Sequence, residues 1–369
     1  MLSFAHTWCV GAVAAAARIC CRGQKGQNRM NDQSGTERMK LTGEGGITGE
    51  QLFGSLLERG KFLGMPLPAR KRLIDPWLRE ADLGMIFSKR GAGKSWLGME
   101  LATCLVEPRK FLRWEVPEAV SVLYADGEMC LQDSQQRLAR LKTNADPKGR
   151  LEFLSSEFLS RCQHARLRLT DASCQLAFED MLERMNKQKR APQVIVFDNL
   201  SALFYGVDEN DKMAWELAAN WFLRLRFKGY AVVIVHHAGK SGEQRGTSGR
   251  EDVLDWVIKL REPTTGASEE EGAHFVLGFT KRRGFVERDT PDLDVKLATG
   301  ADGAAFSCRS VSSLDAFMEL VLNGVQTVPE ISEALGVSPP RVYKLRAQAE
   351  KIGLIRLDGN RIVPMRGGL

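Results

Sequence analysis

At 369 residues, with 43% hydrophobic and 27% charged residues, the chain has room for roughly two or three domains and an enzyme-sized core. This is the composition of an ordinary globular protein, with no internal repeat or low-complexity tract. The net charge of +6 is compatible with nucleic acid without arguing for it alone. None of the eight cysteines forms a C-x-x-C pair or a metal-ligand spacing with histidine. A disulfide scaffold and a zinc module are therefore not expected, and reduced thiols in the cytoplasm are the simplest reading.

The amino-terminal stretch Val10 to Ala17 is apolar, but no lysine or arginine precedes it. It is too short to span a membrane and lacks the charged start of a signal peptide, so no membrane role is expected. Residues 1–44 read as a disordered tail or an over-called start, with Met30 or Met39 as the alternative first residue. Residues 45–80 read as a short amphipathic helix from Thr48 to Arg59, with Leu52, Phe53, Leu56 and Leu57 on one face, then a Pro-broken basic linker.

From residue 81 to 308, apolar runs alternate with helical patterns. GMIFS, VSVLYAD, LEFLS, QVIVFD and YAVVIVHH read as strands buried on both faces. The segments between them carry helical periodicity over Gly93 to Leu105, Leu131 to Leu141, a helix capped by Asp171, and Asp208 to Phe227. This β-α-β-α order predicts an α/β fold with a largely parallel sheet. DWVIKLRE, AHFVLGFTK and DLDVKLAT then read as β-hairpin strands.

The stretch FSKRGAGKSW nearly spells a phosphate-binding loop, G-x-x-x-x-G-K-[ST], with Ser88 in place of the first glycine. A strand leads in and a helix leads out. Backbone N–H groups of Lys89, Arg90, Gly91, Ala92, Gly93, Lys94 and Ser95 would wrap the phosphates, Trp96 following at the helix start. Lys94 would reach the β- and γ-phosphates and the Ser95 hydroxyl would ligate Mg²⁺. Asp198, ending an apolar strand, is placed to hold that Mg²⁺ through water; a turn-capping role is its ordinary alternative. Glu128 follows the strand after the loop's helix, where a carboxylate can activate water; its alternative is an acid favoured by a helix N-terminus. His236 ends a further strand, where it could contact the γ-phosphate, with His237 pointing the other way. Together these residues predict an ATP site.

These motifs resemble the RecA-type P-loop ATPase domain of hexameric replicative helicases. The resemblance is greatest to plasmid RepA-like helicases and related mobile-element ATPases, with the DnaB and KaiC families further off. It runs over about residues 75 to 300 and rests on PWLREADLGMIFSKRGAGKSWLGMELA, DGEMCLQDSQQRL, Asp198 and His236. It implies ATP and Mg²⁺ as cofactors, with Glu128 as the catalytic glutamate and a serine tolerated at position 88. It also implies a homo-oligomer, hexameric in that family's manner, that moves on or unwinds DNA of a plasmid, phage or integrated element. HAGKSGEQRGTSGREDVLD would be a channel loop offering Lys240, Arg245 and Arg250 to single-stranded DNA. GFTKRRGFVERD resembles an element that inserts Lys281 and Arg283 into the neighbour's ATP site, with Arg282 pointing away. The ordinary alternatives are a solvated loop and a basic hairpin turn.

Residues 311–369 read as a small winged helix-turn-helix domain. Ile331, Leu335, Val337, Val342 and Leu345 fall at buried positions, and Gly336 falls at the turn. Pro339 and Pro340 open the second helix and LIRLDGNRIV forms the wing. Leu314, Phe317, Met318, Val321 and Leu322 would form the supporting helix. Arg341, Lys344 and Arg346 would present cations to duplex DNA, or the module could serve protein contacts. Two functions remain: a DNA translocase or helicase-like ATPase, and an ATP-switched DNA-binding regulator or partition-type factor without unwinding activity.

Overall fold

The computed structural model describes residues 47–141, 147–206, 212–237, 251–263, 272–300 and 303–365. The expected tail at 1–44 and the channel-loop residues Lys240, Arg245 and Arg250 lie outside these. The chain divides into two compact units, Met1–Ala69 and Arg70–Leu369.

In the first unit the described helices are α1 (Gly49–Gly54) and α2 (Arg59–Leu63). Thr48 and Gln51 form a reciprocal capping box at α1. The sequence pattern predicted one helix from Thr48 to Arg59. The helix instead stops after Gly54, and Glu58 caps a new one. Leu52, Phe53, Leu56 and Leu57 are exposed.

The second unit starts earlier than the sequence implied. The supposed linker contains a hairpin of β1 (Arg72–Ile74) and β2 (Leu78–Arg79). Its Trp77 is buried among Phe111, Trp114, Trp256 and Phe279, with ring centroids 4.8 to 6.0 Å away. Such packed aromatic contacts give the hairpin a place in the core.

There follow β3 (Leu83–Ser88), α3 (Lys94–Val106), β4 (Val122–Asp126), α4 (Leu131–Arg140), β5 (Leu151–Ser155) and α5 (Ser156–Gln163). Then come α6 (Ala172–Lys187), β6 (Val194–Asp198), the single turn α7 (Leu200–Leu203), α8 (Lys212–Phe227) and β7 (Ala231–His237). The strands β8 (Trp256–Arg261), β9 (Gly272–Arg282), β10 (Asp292–Gly300) and β11 (Gly303–Val311) complete a nine-stranded sheet in the order β11-β10-β9-β8-β3-β7-β6-β4-β5. The strands from β8 to β5 in that order are parallel, and β9, β10 and β11 add antiparallel. This is an α/β fold with a large, mostly parallel sheet, consistent with a RecA-like P-loop core. β11 went unread because Gly303–Val311 mixes small, polar and charged residues without an apolar run.

Strand alternation sorts the core into two faces. Ile86, Tyr124, Val196, Val233 and Val235 pack with Leu97, Leu101 and Leu105 of α3. Met85, Phe87, Leu123, Phe197, Val232 and Ile234 pack with Phe178 of α6 and Trp221 and Phe222 of α8. Asp171 caps α6, accepting from the N–H groups of Ser173 and Cys174.

The chain ends in α9 (Ser313–Leu322), α10 (Val328–Leu335), α11 (Pro339–Lys351) and a hairpin of β12 (Ile355–Asp358) and β13 (Arg361–Pro364). Phe317, Val321, Ile331, Val342, Leu345 and Ile362 form their own small core. Leu322 is exposed and takes no part in it. Among the described residues no helix is long and apolar enough to cross a membrane.

Candidate nucleotide site

Ser88, Asp126, Asp198 and His237 end parallel strands and share the α3 face by alternation. Open parallel sheets bind ligands beyond this carboxyl edge. The loop from Lys89 to Gly93 leaves β3 there and enters α3 at Lys94. Gly93 has φ +91°, and a Cβ on it would lie 2.6 Å from the Ala273 Cβ. Only glycine fits both the conformation and the space.

Ser88 continues the strand in extended backbone, so no glycine is required of it. Its carbonyl and hydroxyl oxygens each accept from Lys94 Nζ at 3.0 Å, and the Lys89 carbonyl accepts at 2.6 Å. Serine thus supplies an acceptor that glycine lacks. Burial lowers the Lys94 pKa to about 8, Asp198 and Glu128 opposing that shift and Arg90 adding to it. The exposed Lys89 pairs with Glu262 at 3.3 Å.

Asp198 is almost wholly buried. Its Oδ2 accepts from Tyr124 Oη at 2.6 Å, and Ser95 also hydrogen-bonds to the carboxylate. Its Oδ1 is buried without a hydrogen-bond partner among the described residues. Burial raises the carboxyl pKa to about 6, despite the hydrogen bonds from Tyr124 and Ser95. An orphaned carboxylate oxygen beside a serine hydroxyl fits a hard divalent cation completed by phosphate oxygens and water. Among the described residues no cluster of three or more His, Cys, Asp or Glu offers a cation an all-protein cage.

Glu128 sits on a turn built by Asp126. One Asp126 oxygen accepts the N–H groups of Glu128 and Met129, both at 3.0 Å, and the other accepts from Ser134 Oγ at 2.7 Å. The Gly127 N–H donates to the Asp198 carbonyl at 2.7 Å, tying this turn to the end of β6. Asn199 Nδ2 donates to Glu128 Oε2. Trp96, the first residue after Ser95, lies under the Arg137 guanidinium at 5.3 Å. Arg137 also donates to Met129 Sδ, next to Glu128.

One sequence assignment is reversed. His237 Nε2 lies 3.5 Å from Glu128 Oε2, whereas His236 is buried on the α8 face with Val232 and Ile234. β7 runs to His237, which pairs in register with Ser88, so alternation places His237 on the α3 face. Burial, then Lys94, holds its imidazole below the ordinary value, with Glu128 opposing. Phasing β7 from Val233 and Val235 would have found it. Asp126, Asn199 and Tyr124 were also missed, since carboxylates and amides after strands read as ordinary turn formers.

Lys281 and Arg283 lie at the other edge of the sheet. Arg282 pairs with Trp256, which pairs with Gly84 at the start of β3. Lys281 Nζ donates to the Glu251 carbonyl, and Arg283 Nη1 lies 3.4 Å from Asp255 Oδ1. Arg282 turns aside to Thr290. These cations therefore do not join the chain's own loop. In α11, Arg341 is paired with Glu287 at 2.5 Å, so it is engaged within the chain. Lys344 is exposed, and Arg346 stacks 4.8 Å above the half-exposed ring of Tyr343.

Solved structures that match parts of the chain include the flagellar accessory protein FlaH from Methanocaldococcus jannaschii. It is 15% identical with a TM-score of 0.41, over 62% of this chain and 90% of that chain. The KaiC-like protein PH0186 from Pyrococcus horikoshii OT3 is 11% identical with a TM-score of 0.43, over 64% of this chain and 98% of that chain. No curated protein matches the sequence significantly. The AAA domain family matches over residues 53–243, more than half of the sequence and the whole of the loop-bearing region, and the chain belongs to that family.

Proposed function

We propose that the chain hydrolyses ATP with Mg²⁺ and couples the reaction to DNA. The observation that carries the first part is the convergence of Lys94, Ser95, Asp198, Glu128 and His237 beyond the carboxyl ends of β3, β4, β6 and β7. The loop N–H groups and the start of α3 would hold the phosphates. Lys94 would exchange its carbonyl partners for phosphate oxygens. Ser95 and Asp198 would hold Mg²⁺, which would supply charge neutralisation on the phosphates. Glu128, oriented by Asn199 and the Asp126 turn, would accept the proton of the attacking water. His237 beside it would contact the γ-phosphate edge.

For DNA, the support is narrower. The carboxyl-terminal helices and hairpin fit a winged helix-turn-helix, with Lys344 and Tyr343 exposed on its second motif helix and Arg346 stacked over Tyr343. Lys240, Arg245 and Arg250 would add single-strand contacts. The leading reading is a DNA translocase or helicase-like ATPase of a mobile element, acting as an oligomer. A second reading, an ATP-switched DNA-bound regulator, is favoured by one observation: Arg341 is held by Glu287 of the ATPase body.

ATPase rate against protein concentration, with and without single-stranded DNA, separates them. A translocase gives a rate per subunit that rises with concentration and with single strands. A switch gives slow, concentration-independent turnover, with duplex binding that survives Lys94→Ala. No nucleotide turnover under any of these conditions would remove both.

A further inference from the structure

β8 lies between the loop-bearing strand β3 and β9. On one side Lys259 pairs in register with Phe87, the residue before Ser88, and its ammonium lies 5.9 Å from the Phe87 ring. The same Lys259 packs against the turn after α10. A Cβ on Gly336 would lie 2.9 Å from Lys259 Nζ, and Gly336 has φ +62°. The next outward residue on that face, Arg261, donates to the Leu335 carbonyl at 2.9 Å. The residue after it, Glu262, pairs with Lys89 of the loop. Lys89 in turn offers its carbonyl to Lys94. Lys259, Arg261 and Glu262 at this strand end therefore reach, between them, both the phosphate loop and the cap of α10.

The seat of the carboxyl-terminal module is incompletely filled. A half-open cavity of about 290 Å³ lies where it meets the sheet, lined by apolar groups such as Leu320 and Leu335 and by the charged Asp294, Arg309, Asp315 and Glu319. Charged, incompletely filled contacts hold more weakly than a close-packed apolar one. A second foothold is polar too: Glu287 accepts from Arg341 and, at 3.3 Å, from Ser313 Oγ. Glu287 lies beyond the end of β9, at the sheet edge away from the loop.

We propose that the carboxyl-terminal module, seated in this way, restrains the nucleotide loop through the end of β8, so that nucleotide occupancy and release of the module are linked. Seating adds the Leu335 carbonyl to the Asp292 carboxylate that already holds Arg261 from β10, and so steadies Glu262, which keeps Lys89 from the phosphates. Release frees Lys89, and nucleotide that draws Lys89 away loosens the seat by the same factor. The proposal rests on the reading of the loop as a nucleotide site, but not on any DNA activity.

The test measures binding of a fluorescent ATP analogue with Mg²⁺ to the full chain without DNA. Glu287→Lys and Arg341→Glu each break the distant foothold and are expected to tighten binding about three- to fivefold. The exchanged pair Glu287→Lys with Arg341→Glu restores the parent affinity. Glu262→Gln tightens binding alone and makes Glu287→Lys silent. Hydrogen exchange over α9 to α11 should rise in the single variants, and in the parent when Mg²⁺-ADP is added. Arg261→Ala, which cuts the link directly, guards against a foothold variant that stays seated. Affinities within experimental error of the parent across Arg261→Ala and both single variants would overturn the linkage. A parent that binds no better than Lys94→Ala would instead overturn the nucleotide reading, and the linkage with it.

Discussion

Lys94 and Asp198 carry opposite shifts that define a pH window. Asp198 must lose its proton to serve Mg²⁺, and burial has raised its pKa to about 6. Lys94 must keep its proton to meet phosphate, and burial has lowered its pKa to about 8. Affinity for Mg²⁺-nucleotide should therefore rise as pH passes 6 and fall as it passes 8, which a titration of binding across pH 5 to 9 would check. The stability effects have their own signs. Folding favours the protonated Asp198, so its contribution is lost as pH rises from the usual carboxylate value through about 6. Folding disfavours the protonated Lys94, so stability rises with pH from about 8 toward the usual lysine value. Near neutral pH both charges are held against burial. Bound Mg²⁺-nucleotide should offset that strain and raise Tm, whereas Mg²⁺ without nucleotide should do little.

The two histidines give a second test at this scale. Glu128→Gln should leave nucleotide binding intact and slow hydrolysis about 10² to 10⁴-fold, the usual reach of a general base. His237→Ala should lower kcat, because it removes the group beside Glu128. His236→Ala should act on thermal stability, because it empties space behind the sheet. Equal kcat losses with unchanged Tm in both would undo the assignment of faces.

Among the elements, the turn after β4 matters most. Asp126 touches no predicted ligand position, yet it accepts from two backbone N–H groups and Ser134 to shape the loop that carries Glu128. Asp126→Asn should lower kcat more than it raises KM for ATP, and Glu128→Gln should then add little, because both act on one step. The helix after the loop is supported differently. Leu101 is fully buried between sheet and helix, so Leu101→Ala should cost about 2–5 kcal/mol in denaturant unfolding.

Much of this level was legible in the sequence. The parallel strands are near-continuous apolar runs, and their ends announce Ser88, Asp198 and the two histidines. What was hard to read was which histidine faces the loop. The run YAVVIVHH is apolar on both faces, so only its register with Ile86 and Ser88 through Val235 and His237 tells them apart. The Trp77 hairpin was hidden for a related reason. RLIDPWL looks like a proline-broken linker until Trp77 is seen among four aromatic rings from distant segments. Arg341 looked free because its partner Glu287 lies far away in sequence.

At the level of the whole molecule, the phosphate loop and the Lys281–Arg283 pair occupy opposite edges of one sheet. If these cations complete a neighbour's site, Arg283→Ala should bind nucleotide normally yet lose most hydrolysis. Mixing it with Lys94→Ala subunits should then recover part of the rate, since each supplies what the other lacks. Full activity in dilute, monomeric Arg283→Ala protein would end that reading.

If the cations do act on a neighbour, the opposed edges constrain symmetry. A two-fold dimer that joins like edges leaves both sites unfinished. A two-fold dimer completes both only if its axis sets the two sheets in opposite senses, each loop edge against the partner's cation edge, because residue i then meets j and j meets i. Head-to-tail contacts complete one site per interface, and they close into a ring or run on as a filament according to the rotation at each step. A like-edged dimer found in solution would therefore be a resting form, and activity would follow the species whose interface pairs unlike edges.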